Sequence, residues 1–144
     1  MPHTHICCLM HVVFSTAERR RLIKEPMQSR LNEYLCGIAR ENRFKILVVG
    51  GVEDHIHLLL SLPGTIPVSK AVQLLKGGSS KWIHDTFPQH RLFSWQEGFG
   101  AFSVSISQQA RTEKYIRSQA EHHKKISYAE EFKKLLVLHG IPEE

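Results

Sequence analysis

His55-Ile56-His57 sets two imidazoles two residues apart. On an extended strand such residues point to one face, so both rings can share an ion while Ile56 faces the other side. Neutral imidazole is a common ligand for divalent transition metals. A pair leaves most of the coordination sphere open to oxygen ligands and substrate, which suits catalysis better than a structural role. His3-Thr4-His5 repeats the spacing at the chain end, where fraying works against a well-placed ligand pair. Taken alone, the pair equally fits two unconnected histidines at a strand edge.

A second pair lies in Glu113-Lys114-Tyr115-Ile116-Arg117-Ser118-Gln119. Tyr115 and Gln119 are four apart and share one face of a helix. A phenolic oxygen can attack phosphorus to form a covalent phosphotyrosine, which splits strand transfer into two exchanges that conserve the phosphodiester bond energy. Gln119 offers a neutral oxygen that can complete a histidine-rich metal site without adding a charge that repels phosphate. The spacing equally allows Tyr115 to pack in a core and Gln119 to be solvated. His122 and His123 extend the segment and could support the metal ligands, contact phosphate or simply lie on the surface, with surface the default reading.

The elements that must position these groups follow from periodicity. Residues 5–15 are rich in strand formers, and Pro26 opens a helical pattern through Met27, Leu31, Leu35 and Ile38 to Asn42. Residues 44–52 and 55–62 read as two strands of a hairpin about Glu53-Asp54, the second carrying both histidines. Pro67 opens a second helix through Val68, Val72 and Leu75, and Gly77-Gly78 weaken it while permitting a close approach by another element. Residues 92–95 and 99–106 read as extended. Ser107 or Thr112 caps a helix running to about Lys125, and Ser127-Tyr128-Ala129-Glu130 has capping-box spacing before a last helix that ends at Gly140. The order predicts an α+β protein, a ferredoxin-like antiparallel sheet covered by helices.

Composition limits the function classes. The 144 residues and 42% apolar content predict a single domain over residues 1–144 with one core. A net charge of +5 favours an anionic partner without indicating a disordered basic tail. Cys7, Cys8 and Cys36 have no Cys-x-x-Cys spacing and read as reduced thiols. No leader pattern and no membrane-spanning apolar run is present, so the expectation is a cytoplasmic protein without membrane association.

The ordered motifs together carry a resemblance. Val48-Val49-Gly50-Gly51-Val52-Glu53-Asp54-His55-Ile56-His57-Leu58-Leu59, Ser69-Lys70, Lys76-Gly77-Gly78-Ser79-Ser80-Lys81-Trp82, Trp95-Gln96-Glu97-Gly98-Phe99 and Tyr115 through His123 resemble the single-tyrosine HUH transposases of the simplest bacterial insertion sequences. The resemblance implies that His55 and His57 bind Mg²⁺ or Mn²⁺, that Gln119 is the third ligand and that Tyr115 is the nucleophile. It also implies a homodimer in which the tyrosine helix of one subunit can complete the site of the other. The implied substrate is single-stranded DNA at mobile-element ends, recognised partly through imperfect hairpins. The chain stops at Ile141-Pro142-Glu143-Glu144, a few residues short of common members, which puts a C-terminal tail function in doubt.

Phosphate contacts are expected among Arg19, Arg20, Arg21, Arg43, Lys45, Lys76 and Lys81, about half of them bystanders. Trp82, Trp95, Phe99 and Phe102 are either base-stacking groups or core. Two other classes fit weaker versions of the same signals. One is a metal-dependent phosphodiesterase that uses water, and the other is a non-catalytic single-strand-binding module. A domesticated relative acting on repeated extragenic palindromes would share the tyrosine chemistry.

Overall fold

The computed structural model describes residues 3–142; Met1-Pro2 and Glu143-Glu144, the chain ends read above for a leader and a shortened tail, lie outside the described residues. The strands β1 (Leu9–Ser15), β2 (Lys45–Val52), β3 (His55–Ser61) and β4 (Gly100–Val104) form one sheet in the order β2-β3-β1-β4. All neighbouring strands are antiparallel. Helices α1 (Met27–Glu41) and α2 (Val68–Thr86) follow β1 and β3, giving the expected α+β, ferredoxin-like order. Three further helices come after the sheet: α3 (Gln109–Arg117), α4 (Gln119–His122) and α5 (Tyr128–Leu138).

The sheet is covered on both faces, and period-2 alternation divides each central strand between them. Val12 and Phe14 of β1 and Ile56, Leu58 and Leu60 of β3 pack with Leu31, Leu35, Val72 and Leu75 in the larger core under α1 and α2. The intervening residues face the opposite layer. There Leu9, Val48 and Leu59 pack with Ile116 of α3, while Val13 and Phe102 pack with Tyr128 and Leu135 of α5. β3 is thus buried on both sides, which explains why its run shows no polar alternation beyond the histidines.

Several boundaries differ from the sequence reading. β1 begins at Leu9 because its partners run out there: Leu9 pairs with Ser61, where β3 ends, and with Val104, where β4 ends. Residues 92–95 do not form a strand. Only Trp95 pairs, with Thr16, and its indole buries edge-on against Phe14 and Phe93 while donating to Ser79 Oγ at 3.0 Å. The helix expected to reach Lys125 breaks at Ser118 into α3 and α4. Thr112 does not cap it, since its hydroxyl donates back to the Gln108 carbonyl at 2.9 Å, a bond that competes with the cap role. Ser127 does cap α5, accepting from Glu130 N at 3.2 Å.

Close approach by another element occurs at Gly78, where a Cβ would lie 2.8 Å from Ile38 Cδ1 of α1. It occurs more severely at Gly50 on β2. A Cβ there would lie 2.8 Å from the Ile116 carbonyl carbon and 2.9 Å from Ile116 Cγ2, with the carbonyl oxygen closer still. Gly50 pairs with His57 across the sheet, so the missing side chain lets α3 settle onto the sheet beside the histidine strand. Cys7, Cys8 and Cys36 are free thiols. No helix among the described residues is long and apolar enough to cross a membrane.

Candidate active site

His55 and His57 project from β3 toward the α3–α5 layer, and both are fully buried. Each ring has one nitrogen anchored and the other turned inward. His55 Nδ1 lies 2.7 Å from Asp54 Oδ1, and His57 Nδ1 lies 2.7 Å from Nε2 of His11 on β1. Partners on Nδ1 fix ring orientation and leave Nε2 able to ligate a metal, the arrangement that metal-bound histidines adopt.

The inward nitrogens meet residues from α4 and α5. His55 Nε2 lies 3.2 Å from Gln119 Oε1, so the structure brings the predicted glutamine to the predicted histidine within one chain. Glu131 enters from α5. Its Oε1 lies 2.9 Å from His57 Nε2, 3.3 Å from His55 Nε2 and 3.0 Å from His123 Nε2. The ligand atoms of His55, His57, His123 and Glu131 all lie within 4.8 Å of one another, close enough to surround a common ion. Three imidazole nitrogens aimed at one carboxylate oxygen, with the glutamine oxygen beside them, form a mixed nitrogen and oxygen donor set that fits a divalent cation.

Tyr115 stands on the other side of Glu131. Its hydroxyl donates to Glu131 Oε2, lies 3.4 Å from His122 Nε2, and its ring meets His57 edge-on at 5.7 Å. Gln119 Nε2 also donates to Glu131 Oε2, at 3.1 Å. The hydroxyl borders a cleft of about 750 Å³ walled by His11, Arg111, His122, Glu131, Lys134 and His139, among others. The cleft thus opens onto Tyr115 and Glu131, and Arg111 and Lys134 place positive charge on its walls.

The charges of the cluster are strongly coupled. Burial opposes the Glu131 carboxylate, but hydrogen bonds with His55, His57 and Tyr115 outweigh it and hold its pKa well below the ordinary range. Burial also opposes charge on His55, yet Asp54 and Glu131 raise its pKa to about 9. For His57 burial prevails over Glu131 and the pKa falls. Burial, with the nearby His57, drives His11 down to about 3, so His11 is neutral and can share one proton with His57 Nδ1. Burial and then Glu131 push the Tyr115 hydroxyl above the ordinary phenol range.

Sequence reasoning did not single out His11 or Glu131, and its default reading of His123 as a surface residue is corrected by the placement of His123 Nε2 3.0 Å from Glu131 Oε1. One signal for Glu131 was available: with Tyr128, Phe132 and Leu135 it lies at helical spacing on the face α5 turns to the sheet, where a carboxylate requires a partner. Among the expected phosphate contacts, Lys76 instead donates to the carbonyls of Gln96 and Gly98, and Lys81 pairs with Asp85 at 2.8 Å. Trp95 and Phe102 are core, whereas Trp82 stacks on Tyr34 at 4.7 Å on the α1–α2 face.

The fold is a transposase fold. It superposes on a Deinococcus radiodurans crystal structure described as that of a transposase with a TM-score of 0.69 and 21% identity, covering 81% of this chain and 93% of the other. A REP-associated tyrosine transposase, solved bound to a REP hairpin, aligns with a TM-score of 0.60 and 16% identity over 81% of this chain and 68% of that one. The family model described as "Transposase IS200 like" matches residues 4–119, and the chain belongs to that family. Related sequences include the ISDra2 transposase TnpA of Deinococcus radiodurans, 27% identical over 76% of this chain and 81% of that protein. The transposase for insertion sequence element IS200 of Salmonella typhimurium is 28% identical over 86% of this chain and 84% of the relative. The matched family residues end at Gln119, so His122, His123 and Glu131 lie C-terminal to them.

Proposed function

We propose that this transposase cuts and rejoins single-stranded DNA at mobile-element ends through a covalent 5′-phosphotyrosine on Tyr115, with a divalent metal, Mg²⁺ or Mn²⁺, held by His55, His57 and Gln119. The observation that carries this reading is the convergence, within one chain, of His55 Nε2, His57 Nε2 and Gln119 Oε1 beside the Tyr115 hydroxyl. A bound divalent cation would polarise the scissile phosphate and offset the charge that develops on it.

The chain's own residues supply the rest. His11 and Asp54 hold the two histidine rings with Nε2 inward. Tyr115 Oη forms a bond to phosphorus as the bond from phosphorus to the 3′ oxygen breaks. The phenolic proton is lost, and the departing 3′ oxygen gains one. A 3′-hydroxyl from another DNA end reverses the exchange to make the new junction, so no external energy source is required. Arg111 and Lys134, on the cleft walls, are suited to phosphates flanking the reacting one. The hairpin in the solved REP-associated relative supports hairpins near the element ends as the recognised feature. A homodimer remains part of the proposal, although Tyr115 and the histidines already meet in one chain.

The test is incubation of labelled single-stranded candidate ends with the protein and Mn²⁺, followed by denaturing electrophoresis. A covalent protein–DNA product that is absent for Tyr115→Phe is expected. Cleavage without an adduct would point instead to a water-using phosphodiesterase. Binding that persists in chelator without any nick would point to a non-catalytic module.

A further inference from the structure

We propose that Glu131, reaching in from α5, is a positioning residue that ties the nucleophile to the metal ligands by dividing its two carboxylate oxygens between them. The inference rests on the phosphotyrosine reading above and adds a residue beyond the family-matched segment.

The division is sharp. Oε1 faces the histidines His55, His57 and His123 at 3.3, 2.9 and 3.0 Å. Oε2 accepts from the Tyr115 hydroxyl and from Gln119 Nε2, and lies 3.4 Å from His122. A buried carboxylate has about four lone-pair positions to satisfy, and here both oxygens are fully engaged. Among the described residues, Glu131 is the charged side chain that accepts from the Tyr115 hydroxyl while facing Nε2 of both His55 and His57. Gln119 supports the same arrangement as a neutral group, reaching His55 through Oε1 and lying beside Tyr115, but it meets only one histidine of the pair and brings no charge.

The placement of Glu131 is fixed by its helix. Tyr128 and Leu135, three residues before and four after, are buried against Val13 and Phe102 of the sheet. Ser127 caps the first turn, so the helix starts at a defined residue and Glu131 arrives at a defined depth. Held this way, an ion bound at the histidines and the hydroxyl of Tyr115 share one rigid arm. Metal binding then orders the nucleophile, and the nucleophile reports on metal binding.

The chain has three tyrosines, so protein labelled with ¹³C at tyrosine Cζ gives three resonances, and Tyr115→Phe identifies that of Tyr115. Without DNA, adding Mg²⁺ to the wild type should shift the Tyr115 resonance. Glu131→Gln keeps the shape but loses the charge. It should lose that shift, weaken Mn²⁺ binding by calorimetry by about tenfold, and slow adduct formation at saturating DNA by about 100-fold while DNA affinity is unchanged. Glu131→Asp keeps the charge on a shorter arm, so it should regain Mn²⁺ affinity but not the coupled Tyr115 shift. The proposal is overturned if Glu131→Gln changes metal affinity without changing the Tyr115 response, if it changes the response without changing affinity, or if Glu131→Asp restores both. Circular dichroism melts of both variants establish that the fold is kept. Failure of the phosphotyrosine reading is seen separately, as an adduct that survives Tyr115→Phe, and the metal and resonance measurements stand without DNA.

Discussion

If Tyr115 is the nucleophile as proposed, Gly50→Ala should disarm it without touching any group assigned a chemical role. The added Cβ would lie 2.8 Å from the Ile116 carbonyl carbon and 2.9 Å from Ile116 Cγ2, against an ordinary contact of 3.4 Å or more. The obstacle is mainly backbone, so α3 must retreat by roughly 1 Å to regain normal van der Waals separation. Tyr115 is the residue before Ile116 and moves with it, away from His57 and the Glu131 carboxylate. A displacement of that size costs on the order of 100-fold in rate when the reacting atom is misplaced. Overpacking of this kind costs about 1–3 kcal/mol of stability, so the variant should still fold. Adduct formation on labelled single-stranded DNA with Mn²⁺, alongside a thermal melt, separates the two effects. Gly77→Ala is the control: its Cβ meets nothing within 4 Å, and alanine in a helix gains up to about 1 kcal/mol over glycine. Adduct formation at the wild-type rate in folded Gly50→Ala would refute the claim that close α3 packing positions Tyr115.

Other expectations concern the donors and their charges. His57→Ala should weaken Mn²⁺ binding and adduct formation together, and calorimetry with a Mn²⁺ titration of cleavage would show whether they part company. Because the donors include imidazoles, Mn²⁺ should bind more tightly than Mg²⁺, which prefers an all-oxygen shell; competition between the ions measured by Mn²⁺ spin resonance checks this. The metal-free protein should be most stable near the ordinary histidine pKa of 6.5. His55, raised to about 9, contributes stability that is full below 6.5 and lost as pH rises through 9, whereas His11, lowered to about 3, makes the fold lose stability as pH falls from 6.5 toward 3. Melts in chelator across that range should therefore peak between the two limbs, and a flat profile would contradict it.

Much of this molecule is determined by local pattern. Alternation along β3 places His55 and His57 on one face and Ile56 on the other, and helical spacing puts Tyr115 and Gln119 on one side of their segment. The order of strands and helices likewise follows from period and punctuation, because amphipathic periodicity is imposed by a core that each element must face. The ends of β1 could not be read locally, since they depend on where β3 and β4 stop offering hydrogen-bond partners. Nor could the break at Ser118, which lets Gln119 turn under the sheet.

Local spacing left the two pairs on separate elements; the resemblance implied one site, and the tertiary structure brings them together within one chain. Gly50 admits α3 because a backbone 66 residues later needs the space, a fact no window around either residue contains. His11, His123 and Glu131 come from β1, the end of α4 and α5, separated by up to 120 positions, yet meet at His57 and His55. In the sequence, Glu131 shares the apolar stripe of an amphipathic helix with Tyr128, Phe132 and Leu135, a pattern that buries it without saying which groups it meets. Burial against the sheet converts that same side chain into the carboxylate on which the histidines and the tyrosine converge.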